Sequence, residues 1–175
     1  MTDIKDINLW ESGKLKIDWV TKFTSLLNSI EADYKDSKPL KGKRVALSIH
    51  LEAKTARLCQ VLAAMGAEMY VTGCNPLSTQ DDVAAALAHE GMNVFGKHGA
   101  TMEEYEEHIS AVIAAEPDII IDDGGDLINC IHSKYPHLIS KVLGGCEETT
   151  TGIHRLKAMH QDKALKIPVM AVNDS

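Results

Sequence analysis

Four cysteines are spread over the 175 residues, at positions 59, 74, 130 and 146, with no CxxC pair among them. That spacing argues against a disulfide framework and fits a reduced, cytoplasmic setting. No apolar run approaches the ~18 residues of a membrane-spanning helix. The opening MTDIKDINLW carries no apolar signal-like stretch, so neither secretion nor membrane insertion is expected. Lysine and arginine number 18 against 25 acidic residues, a formal charge of −7. A nucleic-acid footprint needs the opposite balance, so no nucleic-acid partner is expected. The phosphate-cradling fingerprints GxGxxG and GxxxxGK[ST] are both missing. The isolated pairs Gly124-Gly125 and Gly144-Gly145 are explained by turn chemistry. There is no internal repeat and no low-complexity tract. What remains is the mixture of an ordinary globular domain, 45% apolar and 25% charged.

The apolar residues come in alternating blocks. Ile17, Val20, Leu27 and Ile30 predict one helix over about 17–32, followed by a polar connector with Pro39 and Gly42. From there, short β-rich runs alternate with helical ones. Strands are expected at 44–50, 68–74, 93–97, 117–125 and 167–172, and helices at 52–66, 78–91, 101–116, 126–142 (broken near Pro136) and 146–162. Ser78 is the expected N-cap of the helix over 78–91. The alternation predicts an α/β fold: a doubly wound parallel, Rossmann-like sheet with flanking helices and an N-terminal helical extension. The expected division is a helical segment over 1–37 and an α/β domain over 38–175.

Ligands of open parallel sheets bind at the carboxyl ends of the strands. The expected ends carry His50-Leu51-Glu52-Ala53-Lys54-Thr55, Cys74 through Asp81, the run Asp122-Asp123-Gly124-Gly125-Asp126, Glu147 through Thr151, and Asn173-Asp174-Ser175. Any one of these loops suits a helix cap. Capping alone does not call for His50, Gln80 or tandem acids. Asp122 and Asp123 point to opposite faces of a strand. An enclosed Asp123 would have its titration moved toward neutrality, while DDGGD equally suits a solvated turn, and the residues alone leave both open. Cys130, His132 and His137 lack structural zinc spacing, so no metal site is expected. His132 and His137 read as half-exposed helix residues, and His108, His154 and His160 as surface or capping residues.

Five segments, HLEAKTARL (50–58), CNPLSTQDDVAAAL (74–87), DDGGDLINCIHSKYP (122–136), EETTTGIHRL (147–156) and IPVMAVNDS (167–175), occur in order. Together with KPLKGKRVA (38–46), they resemble the S-adenosylhomocysteine hydrolase (adenosylhomocysteinase) family over roughly 38–175. The N-terminal helix resembles it less: Phe23-Thr24-Ser25 stands where members often carry a Met-Pro step. The resemblance implies an NAD-dependent reaction. The ribose 3′ carbon is oxidised, the 4′ proton is removed, homocysteine leaves by β-elimination, water adds and the hydride returns. It further implies that His50 and Asp123 handle protons at the 4′/5′ end and that Glu148 hydrogen-bonds the ribose hydroxyls. Thr149, Thr150, Thr151 and Asn173 would lie by the nicotinamide half of NAD. Thr55 would touch substrate, and Ser78 and Gln80 would lie near the purine.

The family's Val-Thr-Lys motif, glycine-rich NAD domain and C-terminal tail are not in the 175 residues. The expected activity is therefore that of the N-terminal, substrate-binding part of adenosylhomocysteinase. Its substrate is a small nucleoside thioether, and its complete form is a homo-oligomer, tetrameric by family. The chain alone is expected to be inactive, not to retain NAD, and to self-associate. Where many members have Thr-x-Glu, this chain has Glu52-Ala-Lys54. An inosyl substrate is the first alternative, because Lys54 can only donate, to O6, and ionised Glu52 can only accept, from N1–H. A non-catalytic nucleoside-binding or regulatory module is the second.

Overall fold

The computed structural model describes residues 2–173. Seven strands form one parallel sheet: β1 (Asp3–Ile4), β2 (Arg44–Ser48), β3 (Glu68–Thr72), β4 (Asn93–Gly96), β5 (Ile119–Asp122), β6 (Gly144–Glu147) and β7 (Val169–Ala171). Their order across the sheet is β1-β4-β3-β2-β5-β6-β7. The helices are α1 (Trp10–Thr21), α2 (Ser25–Tyr34), α3 (Ala53–Ala64), α4 (Asp81–His89), α5 (Met102–Ala114), α6 (Asp126–Lys134) and α7 (Thr150–Gln161). A 3-10 turn over Pro136–Lys141 follows α6 where the proline interrupts it. The α/β parallel architecture expected from the alternation is the one the chain forms.

Strand periodicity splits the core into two layers. Val45 and Leu47 face one layer with Ile17, Val71, Val83 and Leu87, while Ala46 and Ile120 face the other with Val112, Leu127, Ile128 and Ile131. After the edge strand β1, the chain crosses to the middle of the sheet at β2, runs outward to β3 and β4, returns to β5 and runs outward the other way. The order therefore reverses between β2 and β5. That reversal opens a crevice at the carboxyl ends of those two strands, the place where open parallel sheets bind ligands.

The N-terminal region departs from expectation. The predicted single helix is two, α1 and α2, broken at 22–24. Thr24 leaves the helical region, at φ −103°, ψ 58°, and the Asn28 side-chain amide takes the Thr21 carbonyl at 2.7 Å. α1 begins seven residues earlier than predicted because it packs across α4. A Cβ on Gly13 would lie 1.9 Å from the Asp82 carbonyl oxygen, so only glycine permits that crossing. β1 was not predicted; it pairs with β4, Asp3 opposite Phe95. His108, expected at the surface, is buried, and its Nε2 lies 3.0 Å from Asp3 Oδ2. That contact pins β1 to α5. Ser78 does not cap α4: the residue before that helix is Gln80, and no side chain caps it.

Candidate functional site

The crevice between β2 and β5 gathers His50, Ser78, Cys74 and Asp123. Ser78 Oγ lies 2.6 Å from His50 Nδ1 and donates to the Asn75 carbonyl at 3.0 Å. A hydroxyl has one proton. With that proton on Asn75, Ser78 accepts from Nδ1–H, so neutral His50 carries its lone pair on Nε2. That nitrogen faces Asp123 Oδ2 at 3.7 Å, beyond a direct hydrogen bond. Asp123 is 11% exposed and His50 51%, so one partner is sheltered and the other reachable. Cys74 Sγ donates to the same Asp123 oxygen at 3.2 Å. Burial, reinforced by the Asp123 charge, pushes the Cys74 thiol far up, so it stays protonated.

Of the tandem acids, Asp122 is fully buried. Its two oxygens accept the backbone N–H groups of Asp123 at 3.1 Å and Ile128 at 2.9 Å, which ties the β5 end to the start of α6. Burial first, and then the Glu147 charge, push it up to about 8. The titration displaced toward neutrality is therefore that of Asp122, the acid the sequence reading did not single out.

Glu147 is also fully buried, on the neighbouring strand. Its Oε1 accepts the N–H of Gly124 at 2.8 Å and of Thr149 at 3.0 Å. A Cβ on Gly152 would lie 2.2 Å from the Glu147 carboxyl carbon, so this carboxylate occupies space that only glycine leaves. Glu148, next in sequence, is half-buried, and its side chain has no hydrogen-bond partner among the described residues. The two glutamates differ: Glu147 holds two loops, whereas the Glu148 carboxylate is unengaged. Thr149 caps α7, its hydroxyl accepting the Thr151 N–H at 3.4 Å, while Thr150 and Thr151 stand exposed in the first turn. Asn173 is exposed at the end of the described chain, and Asp174 and Ser175 lie outside the described residues.

A second polar group lies beside α1. Glu52 caps α3, its Oε1 accepting the N–H of Lys54 at 3.1 Å and of Thr55 at 3.4 Å. Thr55 is nearly buried, whereas Lys54 is exposed and its ammonium has no partner among the described residues. Gln80 Oε1 accepts from Lys16 Nζ at 3.1 Å. Glu52, Lys54 and Gln80 line one groove of about 550 Å³ together with Lys16, Leu15 and Trp19 of α1.

Sequence reasoning named Cys74 and Glu147 only as members of strand-end runs, with no role of their own, and did not name Lys16. Cys74 lies two residues beyond the end of β3, and that position was its signal. The expectation that no metal site exists rested on the spacing within 130–137. The donors that do converge come from three separate strand ends, which linear spacing does not display.

The family model for S-adenosyl-L-homocysteine hydrolase matches residues 2–135 and 132–175. The chain belongs to the S-adenosyl-L-homocysteine hydrolase family. It is 53% identical, over all 175 residues, to a protein of Methanocaldococcus jannaschii named S-inosyl-L-homocysteine hydrolase, of which it covers 42%. A Methanococcus maripaludis protein of the same name is 51% identical over 175 residues, again with 42% covered. A Pyrococcus abyssi adenosylhomocysteinase is 48% identical over 172 residues, 98% of this chain and 41% of that protein. The chain thus spans about two fifths of the length of the curated relatives it matches. The segments that carried the family resemblance are those surrounding the crevice, plus the groove beside α1.

Proposed function

We propose that this chain is the first part of the substrate-binding region of an NAD-dependent hydrolase whose preferred substrate is S-inosyl-L-homocysteine. The observation that carries the choice of purine is the donor bias of the groove. Lys54 can only donate. Gln80 has its amide oxygen taken by Lys16, an ammonium that can only donate, so what Gln80 has left to offer is its NH₂. Two donors suit the O6 and N7 acceptors of hypoxanthine, whereas adenine places an N6 donor opposite one of them. Glu52 has one oxygen engaged as a cap and a second left to accept from N1–H. The names of the relatives from M. jannaschii and M. maripaludis support the same reading, which reverses the preference for an adenosyl substrate drawn from the family alone.

His50 and Asp123 are the proposed proton-handling pair. The Nε2 lone pair takes the proton, and the Asp123 carboxylate steadies the imidazolium that forms. The ribose sits within reach of Glu148, whose unengaged carboxylate accepts from its hydroxyls. The exposed hydroxyls of Thr150 and Thr151, with no partners among the described residues, fit the carboxamide end of NAD. Reversible hydride storage is the chemistry that NAD supplies when bound. The chain's own residues bind, orient and move protons around it.

The deciding measurement is kcat/KM for S-inosyl- and S-adenosyl-L-homocysteine on the complete enzyme that contains this sequence. An inosyl preference of ~10²-fold or more is expected, since a site built on hydrogen bonds rejects a mismatched pattern strongly. Lys54→Glu is expected to reverse it. An adenosyl preference unaltered by Lys54→Glu would overturn the assignment.

A further inference from the structure

Three donors of different chemistry meet at the switch point of the sheet. His50 follows β2, Cys74 follows β3 and Asp123 follows β5, and their ligating atoms all lie within 4.8 Å of one another. Two of the three separations are 3.2 Å, from Cys74 Sγ to Asp123 Oδ2, and 3.7 Å, from His50 Nε2 to the same oxygen. A tetrahedral zinc ion with bonds of ~2.0–2.3 Å sets its ligands roughly 3.3–3.8 Å apart. The triad is therefore close to ligating geometry. The remaining adjustment falls on His50, the most exposed of the three.

The surroundings complete the pattern. His50 donates its Nδ1–H to Ser78, which fixes the tautomer with Nε2 bare; an outer-shell partner of this kind orients a metal-bound imidazole. A neutral imidazole, a thiolate and a carboxylate together neutralise a divalent ion. Three protein ligands also leave a fourth position open toward the crevice, as in zinc sites that exchange a ligand. The half-buried thiol is sheltered, but not sealed like Cys59.

We propose that His50, Cys74 and Asp123 form a binding site for a thiophilic divalent cation of the zinc type. Binding replaces the thiol proton: the S–H bond breaks, the sulfur–metal bond forms and the proton passes to solvent, with no change of oxidation state. A bound cation takes up the Nε2 lone pair and the Asp123 oxygen, and so competes with the proton chemistry above. This consequence, unlike the site itself, rests on the functional reading.

Cobalt(II) is the probe, because a thiolate ligand gives it a charge-transfer absorption and a tetrahedral site gives it strong visible bands. Titration of the folded chain is expected to show both, saturating at one cobalt per chain. Cys74→Ser should remove the charge-transfer band and weaken binding about 100-fold. Asp123→Asn should keep that band with weaker binding, and Ser78→Ala should weaken binding ~10–100-fold, the usual effect of losing an outer-shell partner. Circular dichroism on each variant separates loss of site from loss of fold. A charge-transfer band that survives Cys74→Ser would overturn the site, as would a folded wild-type chain that takes up no cobalt. On the complete enzyme, zinc should inhibit in competition with substrate. Occupancy at this triad without inhibition would overturn the proton-handling roles and leave the metal site standing.

Discussion

At the ends of β5 and β6, carboxylates are tied to backbone. Asp122 accepts two N–H groups, Glu147 accepts two more, and Gly152 leaves room for the second of these acids. In the groove beside α1, the polar atoms of Glu52 and Gln80 are held by one cap and one lysine, and the Lys54 ammonium has no partner among the described residues. The difference teaches where the fold tolerates change. In the first region a substitution disturbs chain paths, whereas in the second it alters the hydrogen-bonding pattern that the groove would offer to the purine proposed above. On the proposed function, one sheet edge can therefore keep its reaction while changing its substrate.

The contrast can be broken in four ways. The largest effect is expected at His50 and Asp123, the proposed proton-handling pair. Asp123→Asn in the complete enzyme should slow turnover ~10²–10⁴-fold while substrate still binds, with His50→Gln similar. Near-normal turnover in both would reduce the pair to turn residues. Next comes packing. Gly152→Ala forces a methyl group onto a buried carboxylate that cannot withdraw without dropping two N–H groups, and should remove about 3 kcal/mol of stability. Urea unfolding reads this as a lowered midpoint. An unmoved midpoint would show that the β6 end is softer than described.

The third concerns pH. Asp122 sits at about 8 in the folded chain, against 3.8 for an ordinary aspartate. The folded state therefore holds the extra proton between these values, and stability must fall as pH rises through that window. Thermal unfolding followed from about pH 5 to pH 9 should show the fall, and Asp122→Asn should flatten it. The smallest effect tests the groove. Lys16→Met frees the Gln80 amide to rotate and should cut the inosyl-to-adenosyl preference roughly 10-fold, one hydrogen bond's worth, with little change in melting temperature. An unchanged ratio would show that Gln80 is oriented by something other than Lys16.

Much of this was readable in the sequence because the signals were local. The Val45–Leu47 and Ile119–Ile121 runs declared buried parallel strands, and His50 and Asp123 were visible as polar residues immediately after them. What escaped depends on partners far along the chain. His108 is buried because Asp3, 105 residues away, reaches it. Gln80 is oriented by a lysine 64 residues earlier. β1 is two residues long and offers no periodicity. Ser78 was misassigned for a different reason: a serine before a helix looks the same whether its hydroxyl caps that helix or orients a histidine.

The parallel pairing of β1 with β4 also bears on how the chain is made. Asp3 emerges from the ribosome early, but Phe95, its partner, follows about ninety residues later. At ~5–20 residues per second the first strand waits roughly 5–20 s for its place. During that interval Ile17 and Val20 of α1, which end up buried, have no α4 to cover them. β2, β3 and α3 can associate within a shorter stretch of sequence. The β1–α1 segment is thus made well before α4 and β4, which seal it, and a nascent chain stalled before residue 81 presents α1 without its α4 cover to whatever is nearby.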